Sequence, residues 1–166
     1  MFTISSFFSE AQPIITAFNT WASTYSPAAR ADHLCYKCGS LAEYEEIRRM
    51  FETESVFIYQ SIISKRRISI IVFTKPIQTL LGDIRILELS DQKPDGSQTS
   101  GFDHVEIYPE HGTEETLAQQ LETGGYPLNK IIRPHHTTFD GNLGKTWKIR
   151  LEREPLLEKI KREEMR

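Results

Sequence analysis

The residues of this chain best suited to chemistry are two histidines at matched places in a repeated stretch. Ala31-Asp32-His33-Leu34 is answered 71 positions later by Phe102-Asp103-His104-Val105. A lone histidine in a strand is usually a structural residue, but two at equivalent repeat positions form a pair, and imidazole is the commonest metal ligand. Residues two apart on a strand share a face. His33, Cys35 and Lys37 therefore lie together, as do His104, Glu106 and Tyr108. Leu34 with Tyr36, and Val105 with Ile107, take the other face and should carry helices. The histidines are then left on a concave side, where a pseudo-twofold axis brings them together. An aspartate precedes each one and could orient its ring, although neighbours on a regular strand point to opposite faces.

A third ligand is needed. Glu88, in Ile86-Leu87-Glu88-Leu89, is a charge late in an apolar strand. It is either the solvated strand end or the carboxylate that completes the set. Two histidines and one carboxylate leave open positions on a divalent ion. Glu106, two residues after His104, is a candidate general base or alternative ligand. Arg66 is a candidate for holding a carboxylate or phosphate bidentately, whereas its neighbours Lys65 and Arg67 read as a solvated turn. His135-His136 offers a proton carrier if one ring faces the cleft, and His135 is the candidate taken. Cys35 and Cys38 have CxxC spacing but face opposite ways on a strand and lack a second pair, so they read as packing residues. There is no P-loop, dinucleotide-binding glycine fingerprint or nucleophile elbow.

The elements that must position these residues follow from periodicity. Phe7, Phe8, Ala11, Ile14, Ile15, Phe18, Trp21, Ala22 and Tyr25 recur at helical steps, with Pro13 expected to bend or restart the helix. Residues 32–38 read as a strand. Ser40 and Glu43 form a capping box for the helix that follows. Strands are expected at 55–64, at 67–73 closed by Pro76, and at 83–89, followed by a loop at 91–98. The pattern then restarts with a strand at 102–108, a helix at 113–123, short strands at 130–133 and 137–139, and a strand at 144–152. Pro155 opens a charged C-terminal helix on Leu156, Leu157, Ile160 and Met165. Both halves read strand, helix, strand, strand, strand.

Composition bounds the rest. The chain has 166 residues, Lys+Arg 20 against Asp+Glu 23, and a net charge of −3, so no general nucleic-acid affinity is implied. Two cysteines do not make a disulfide scaffold. Residues 11–29 carry no charge but are too polar for hydrocarbon, and the first basic residue, Arg30, comes too late for a signal peptide. A soluble cytoplasmic protein without membrane partner is expected, its oligomeric state open.

The repeat with His33, Glu88 and His104 resembles the vicinal oxygen chelate superfamily, which includes glyoxalase I, methylmalonyl-CoA epimerase and extradiol dioxygenases. More closely, Ala31-Asp32-His33, Arg66 before Ile68-Ser69-Ile70, Leu87-Glu88-Leu89 and the run Gly101–Ile107 resemble the bacterial YecM-like family. The resemblance runs from about Arg30 to the C-terminal helix. It implies an α+β fold of two paired βαβββ modules forming an incomplete barrel. The divisions are an N-terminal helical extension at 1–29, modules at 30–90 and 101–152, and a C-terminal helix at 153–166, all in one structural domain. It also implies a divalent metal (Zn, Fe, Mn, Ni or Co) on His33, Glu88 and His104. The superfamily's fourth ligand is often a Glu on the final strand. Here Lys148, Arg150 and Glu152 share one face, and alignment of Gly82 with Gly144 sets Arg150 opposite Glu88. The fourth carboxylate is either lost or supplied by Glu152 after a two-residue shift. No reaction comes with the YecM-like family.

Three functions remain in contention: a metal-dependent isomerase, lyase or dioxygenase on a small oxygenated, anionic substrate; a non-catalytic ligand-binding protein with a degenerate metal site; and an interaction module using the aromatic N-terminal helix.

Overall fold

The structure, a computed structural model, describes residues 2–134 and 136–164. Helix α1 (Ile4–Tyr25) opens on a capping box in which Thr3 and Ser6 exchange hydrogen bonds. Its buried face is Phe7, Ala11, Ile14, Ile15, Phe18, Trp21 and Ala22. The helix runs unbroken through Pro13, against the expected restart. The ring removes one helical hydrogen bond, to the carbonyl of Ser9, and both residues lie on the exposed side, where water can take its place. The aromatic stripe is core. Phe7 packs on Tyr36 and Phe51, and Trp21 on Tyr126, so this face is not open to a partner.

The first module is β1 (Ala29–Lys37), α2 (Leu41–Phe51), β2 (Ser55–Ile63), β3 (Arg66–Thr79) and β4 (Gly82–Ser90). Pro76 does not close β3, which runs on to Thr79. The proline lies where pairing with β4 is interrupted between Val72 and Ile77, beyond the last β2 pair at Phe73, so its missing N–H breaks no ladder. The second module is β5 (Gly101–Pro109), α3 (Glu114–Thr123), β6 (Asn129–Ile132), β7 (Thr137–Gly144) and β8 (Trp147–Leu151). Here β7 is longer and β8 shorter than their sequence suggests. Gly141, Asn142 and Gly144 look like a loop, yet Phe139, Gly141 and Leu143 alternate inward, and the turn falls at Lys145-Thr146. Helix α4 (Leu156–Glu164) ends the described chain, and Met165 lies outside the described residues.

The eight strands form one open mixed sheet in the order β2-β3-β4-β1-β5-β8-β7-β6. At its centre β1 and β5 run antiparallel, flanked by parallel partners β4 and β8, which is the pseudo-twofold arrangement of two βαβββ modules. Helices α1, α2 and α3 cover the convex face with one large apolar core. Helix α4 lies on the other side, with Leu156, Leu157 and Ile160 on Ile68, Ile70 and Ile86. No helix among the described residues is long and apolar enough to cross a membrane.

The central strands are not regular. Ala31 pairs with Ile107 and His33 with Glu106, leaving Asp32 without a partner. Cys35 pairs with His104 and Tyr36 with Phe102, leaving Asp103 without one. Each aspartate is the extra residue of a β-bulge. The core records the same shift. Ala29 and Ala31, then Leu34 and Tyr36, face the helices, as do Phe102, then Val105 and Ile107.

The second module depends on a close approach. The Tyr126 ring lies directly over Gly141, and its hydroxyl donates to the Asn142 carbonyl at 2.6 Å. A methyl group on Gly141 would collide with the ring. Gly141→Ala should therefore cost about 1–3 kcal/mol, as overpacking does, and lower the thermal midpoint by several degrees. An unchanged midpoint would show that Tyr126 does not pack there.

Candidate metal centre

The bulges decide how the histidines are held. In a flat strand Asp32 and Asp103 would point away from His33 and His104. As bulged residues they turn back, and each Oδ2 lies 2.7 Å from the Nδ1 of the following histidine. The expectation that neighbours must face opposite ways is corrected here. With Nδ1–H donating to carboxylate, each ring turns its Nε2 to the concave side. Both Nε2 atoms are buried without a well-directed hydrogen bond. The rings stand edge to face at 5.9 Å between centroids, with His33 fully buried and His104 1% exposed.

Glu88 is level with Cys35 on the neighbouring strand and turns to the same space. His33, Glu88 and His104 each offer one ligand atom, and these atoms lie within 4.8 Å of one another. Glu88 Oε2 is 3.7 Å from His33 Nε2. The side chain is 23% exposed and lines the cavity, so it is not merely a solvated strand end.

Glu106 is more central than its sequence position suggested. Its Oε2 lies 2.6 Å from His33 Nε2 and 3.8 Å from His104 Nε2. Burial opposes charge on His33, but Glu106 and Asp32 outweigh it and hold its pKa well above the ordinary imidazole value. Burial likewise opposes charge on Glu106, and His33 outweighs it, so the carboxyl titrates well below its usual range. The two form a buried ion pair.

The fourth position goes to arginine. Arg150 pairs with Glu106, whereas Glu88 pairs with Cys35, the repeat equivalent of Glu106. Arg150 thus occupies the place of Glu88 in the second module. It lines the cavity and is clamped bidentately by Asp140 at 2.9 and 3.0 Å. Burial opposes its charge, and Asp140 more than offsets this, raising its pKa. Glu152 also lines the cavity, but its carboxylate is 3.1 Å from His136 Nε2 and 3.9 Å from Lys159 Nζ. Lys148 reaches toward Asp103 at 3.9 Å and is partly exposed.

Arg66 lines the same cavity from the start of β3, and its Nη1 is buried with no hydrogen-bond partner. His135 lies outside the described residues; His136 is on the cavity wall. Cys38 faces the helices and Cys35 the concave side, both as free thiols. Burial, then Glu88, pushes the Cys35 thiol well up, so it is held protonated. The site thus contains residues that strand parity alone did not assign: Asp32 and Asp103 as ring holders, and Asp140 as the partner of Arg150. The repeated Asp-His pair was the available signal for the first two. Nothing in the sequence marked Asp140.

With this geometry in place, the family model described as YecM protein matches residues 4–135. The chain belongs to the YecM family. Among solved structures, this YecM-family chain is similar to one titled "Structural Genomics, Protein EC4020", with TM-score 0.75, 21% identity, and 96% and 92% of the two chains covered. That likeness establishes the fold. It is also similar to a methylmalonyl-CoA epimerase in complex with methylmalonyl-CoA and NH4+, with TM-score 0.49, 14% identity, and 75% and 93% covered. A Streptomyces coelicolor methylmalonyl-CoA epimerase in complex with 2-nitronate-propionyl-CoA gives TM-score 0.48, 15% identity, and 74% and 94% covered. No curated protein matches the sequence.

If Asp32 and Asp103 hold the rings for an ion, replacing either with asparagine should weaken divalent-metal affinity by about 10–100-fold with the fold intact. Calorimetric titration of Asp103→Asn with Zn2+ or Co2+ measures this. Unchanged affinity would make the aspartates purely structural.

Proposed function

We propose that this protein binds a divalent metal through His33, Glu88 and His104 and uses it to hold a small oxygenated ligand. The observation that carries this reading is the convergence of one ligand atom each from His33, Glu88 and His104 within 4.8 Å of one another, with both rings tied through Nδ1 to an aspartate. His104 Nε2 is buried with no hydrogen-bond partner, which is unfavourable unless a ligand satisfies it, and His33 Nε2 meets the Glu106 carboxylate alone. Two imidazoles and a carboxylate match borderline divalent ions such as Zn2+, Fe2+, Mn2+, Ni2+ or Co2+. A bound ion would supply Lewis-acid polarisation of neighbouring ligand oxygens.

The chain's own residues then divide the work. Asp32 and Asp103 fix the rings. Glu106 is the proton acceptor, and this requires His33 to be neutral, the form in which imidazole binds metal. A carboxylate held by an imidazolium is too acidic to be a useful base near neutrality. The cavity of about 440 Å³ includes Glu88, His104 and Glu106 in its wall. This is a small-ligand volume. On this reading the reaction is an isomerase, lyase or oxygenase type of step on a small oxygenated substrate.

Arg150 favours a second reading. A clamped cation where a fourth carboxylate would stand repels a divalent ion, so the protein can also be a ligand-binding module with a degenerate metal site and no turnover.

Titration of the metal-free chain with Co2+ tests the proposal. One ion per chain should bind with visible d–d absorption. Glu88→Gln should weaken binding by at least about tenfold, and Glu106→Gln by less, since its role is proton transfer. Absence of uptake in the wild type overturns the metal reading. An equal loss in Glu106→Gln makes Glu106 a ligand instead of the base.

A further inference from the structure

The cavity is polarised. At the histidine end stand Glu88 and Glu106. Most cations in the wall are matched by carboxylates: Lys37 by Asp103 at 3.2 Å, Arg150 by Asp140, and Lys159 by Glu152 at 3.9 Å. Arg66 is different. Among the described residues no carboxylate lies within ion-pair distance of it, and its Nη1 is buried without any acceptor. A guanidinium N–H removed from water and left unpaired is costly, and such a group is normally satisfied by something.

Local structure holds Arg66 in place. It pairs with Ile63 across the two-residue turn Ser64-Lys65, and both turn residues have positive φ, 52° and 64°. That is the left-handed pair a tight β-hairpin requires, here built from non-glycine residues. Strand parity then places Arg66 with Ile68 and Ile70 on the concave face. Ile70 is paired with Glu88, so Arg66 begins four residues, or about 13 Å of strand, from the Glu88 row. Arg133, also in the wall, hydrogen-bonds Thr138 through Nε and has no carboxylate partner among the described residues. A fork of unpaired N–H donors is the geometry that binds carboxylate or phosphate bidentately.

We infer that the Arg66 end of the cavity is an oxyanion subsite. The ligand is therefore a small two-ended molecule, with a carboxylate or phosphate on Arg66 and oxygen ligands toward His33, Glu88 and His104. The second end rests on the metal-binding reading above; the first does not.

Two probe pairs separate the sources of the anion. Malate and lactate differ by one carboxylate, and 3-phosphoglycerate and glycerate by one phosphate. Each is titrated calorimetrically into the full chain, metal-free and Co2+-loaded. The doubly anionic member of one pair should bind at least about tenfold tighter, and that pair names the anion. The preference should fall to near unity in Arg66→Gln and recover in part in Arg66→Lys. It should persist without metal, with both members weakened. Loss of metal uptake with the preference retained supports the subsite and sinks only the metal reading. No preference in either pair in the wild type, or one unchanged in Arg66→Gln, overturns the inference. The thermal midpoint of Arg66→Gln without ligand should equal or exceed that of the wild type, because no protein partner is lost. A clear fall would assign Arg66 to the fold and overturn the subsite.

Discussion

Two hydrogen bonds between adjacent residues organise this molecule: Asp32 to His33 and Asp103 to His104, each at 2.7 Å. A regular strand cannot make them, because its neighbouring side chains diverge. The extra residue at each bulge removes that obstacle, and the consequences run in both directions through the sheet. On the convex side the apolar sequence skips a position, so that Phe102 can reach Phe7 and Tyr36 while Val105 and Ile107 still face the helices. On the concave side both imidazoles are turned so that Nε2 faces inward. Asp32 adds a further link, because the same Oδ2 accepts the Leu156 N–H at 3.0 Å and so caps α4 above the cleft.

The chemistry of the site follows from how many charges are crowded near that pair. Glu106, Glu88, Arg150 and Asp140 share a small volume at the centre of the sheet. They are tolerated because nearly all are matched. Glu106 is held by His33, and Arg150 by Asp140. An ion entering among His33, Glu88 and His104 would replace the His33–Glu106 pair with ligation and free the Glu106 carboxylate. Arg150, at the position equivalent to Glu88, brings a positive charge that Asp140 balances.

Much of the fold was legible because its signals are local. The Asp-His repeat, the strand alternation and the helix cap at Ser40 all reflect contacts within a few residues. The register that equates Arg150 with Glu88 also followed from the turn glycines. The misplaced features depend on distant partners. Pro13 and Pro76 are tolerated because the bonds they delete are absent or exposed, which only tertiary structure reveals. The β7 strand hides behind Gly141, Asn142 and Gly144, and the first of these lacks a side chain because Tyr126 lies over it. Glu106 was recognised as a candidate on the correct face, but its contact with His33 depends on cross-strand register. The ring-orienting role of the aspartates was open to doubt on a regular strand, because a bulge is a pairing property with no mark in a single strand.

The most direct measurement is an anomalous-scattering map from a crystal of the chain grown with Co2+. The account predicts one peak bonded at about 2.0–2.2 Å to His33 Nε2, His104 Nε2 and a Glu88 oxygen, typical of such ligands. Glu106 should be released from His33, and the Asp32 and Asp103 hydrogen bonds retained. A peak elsewhere, or none with His33 still on Glu106, would contradict it.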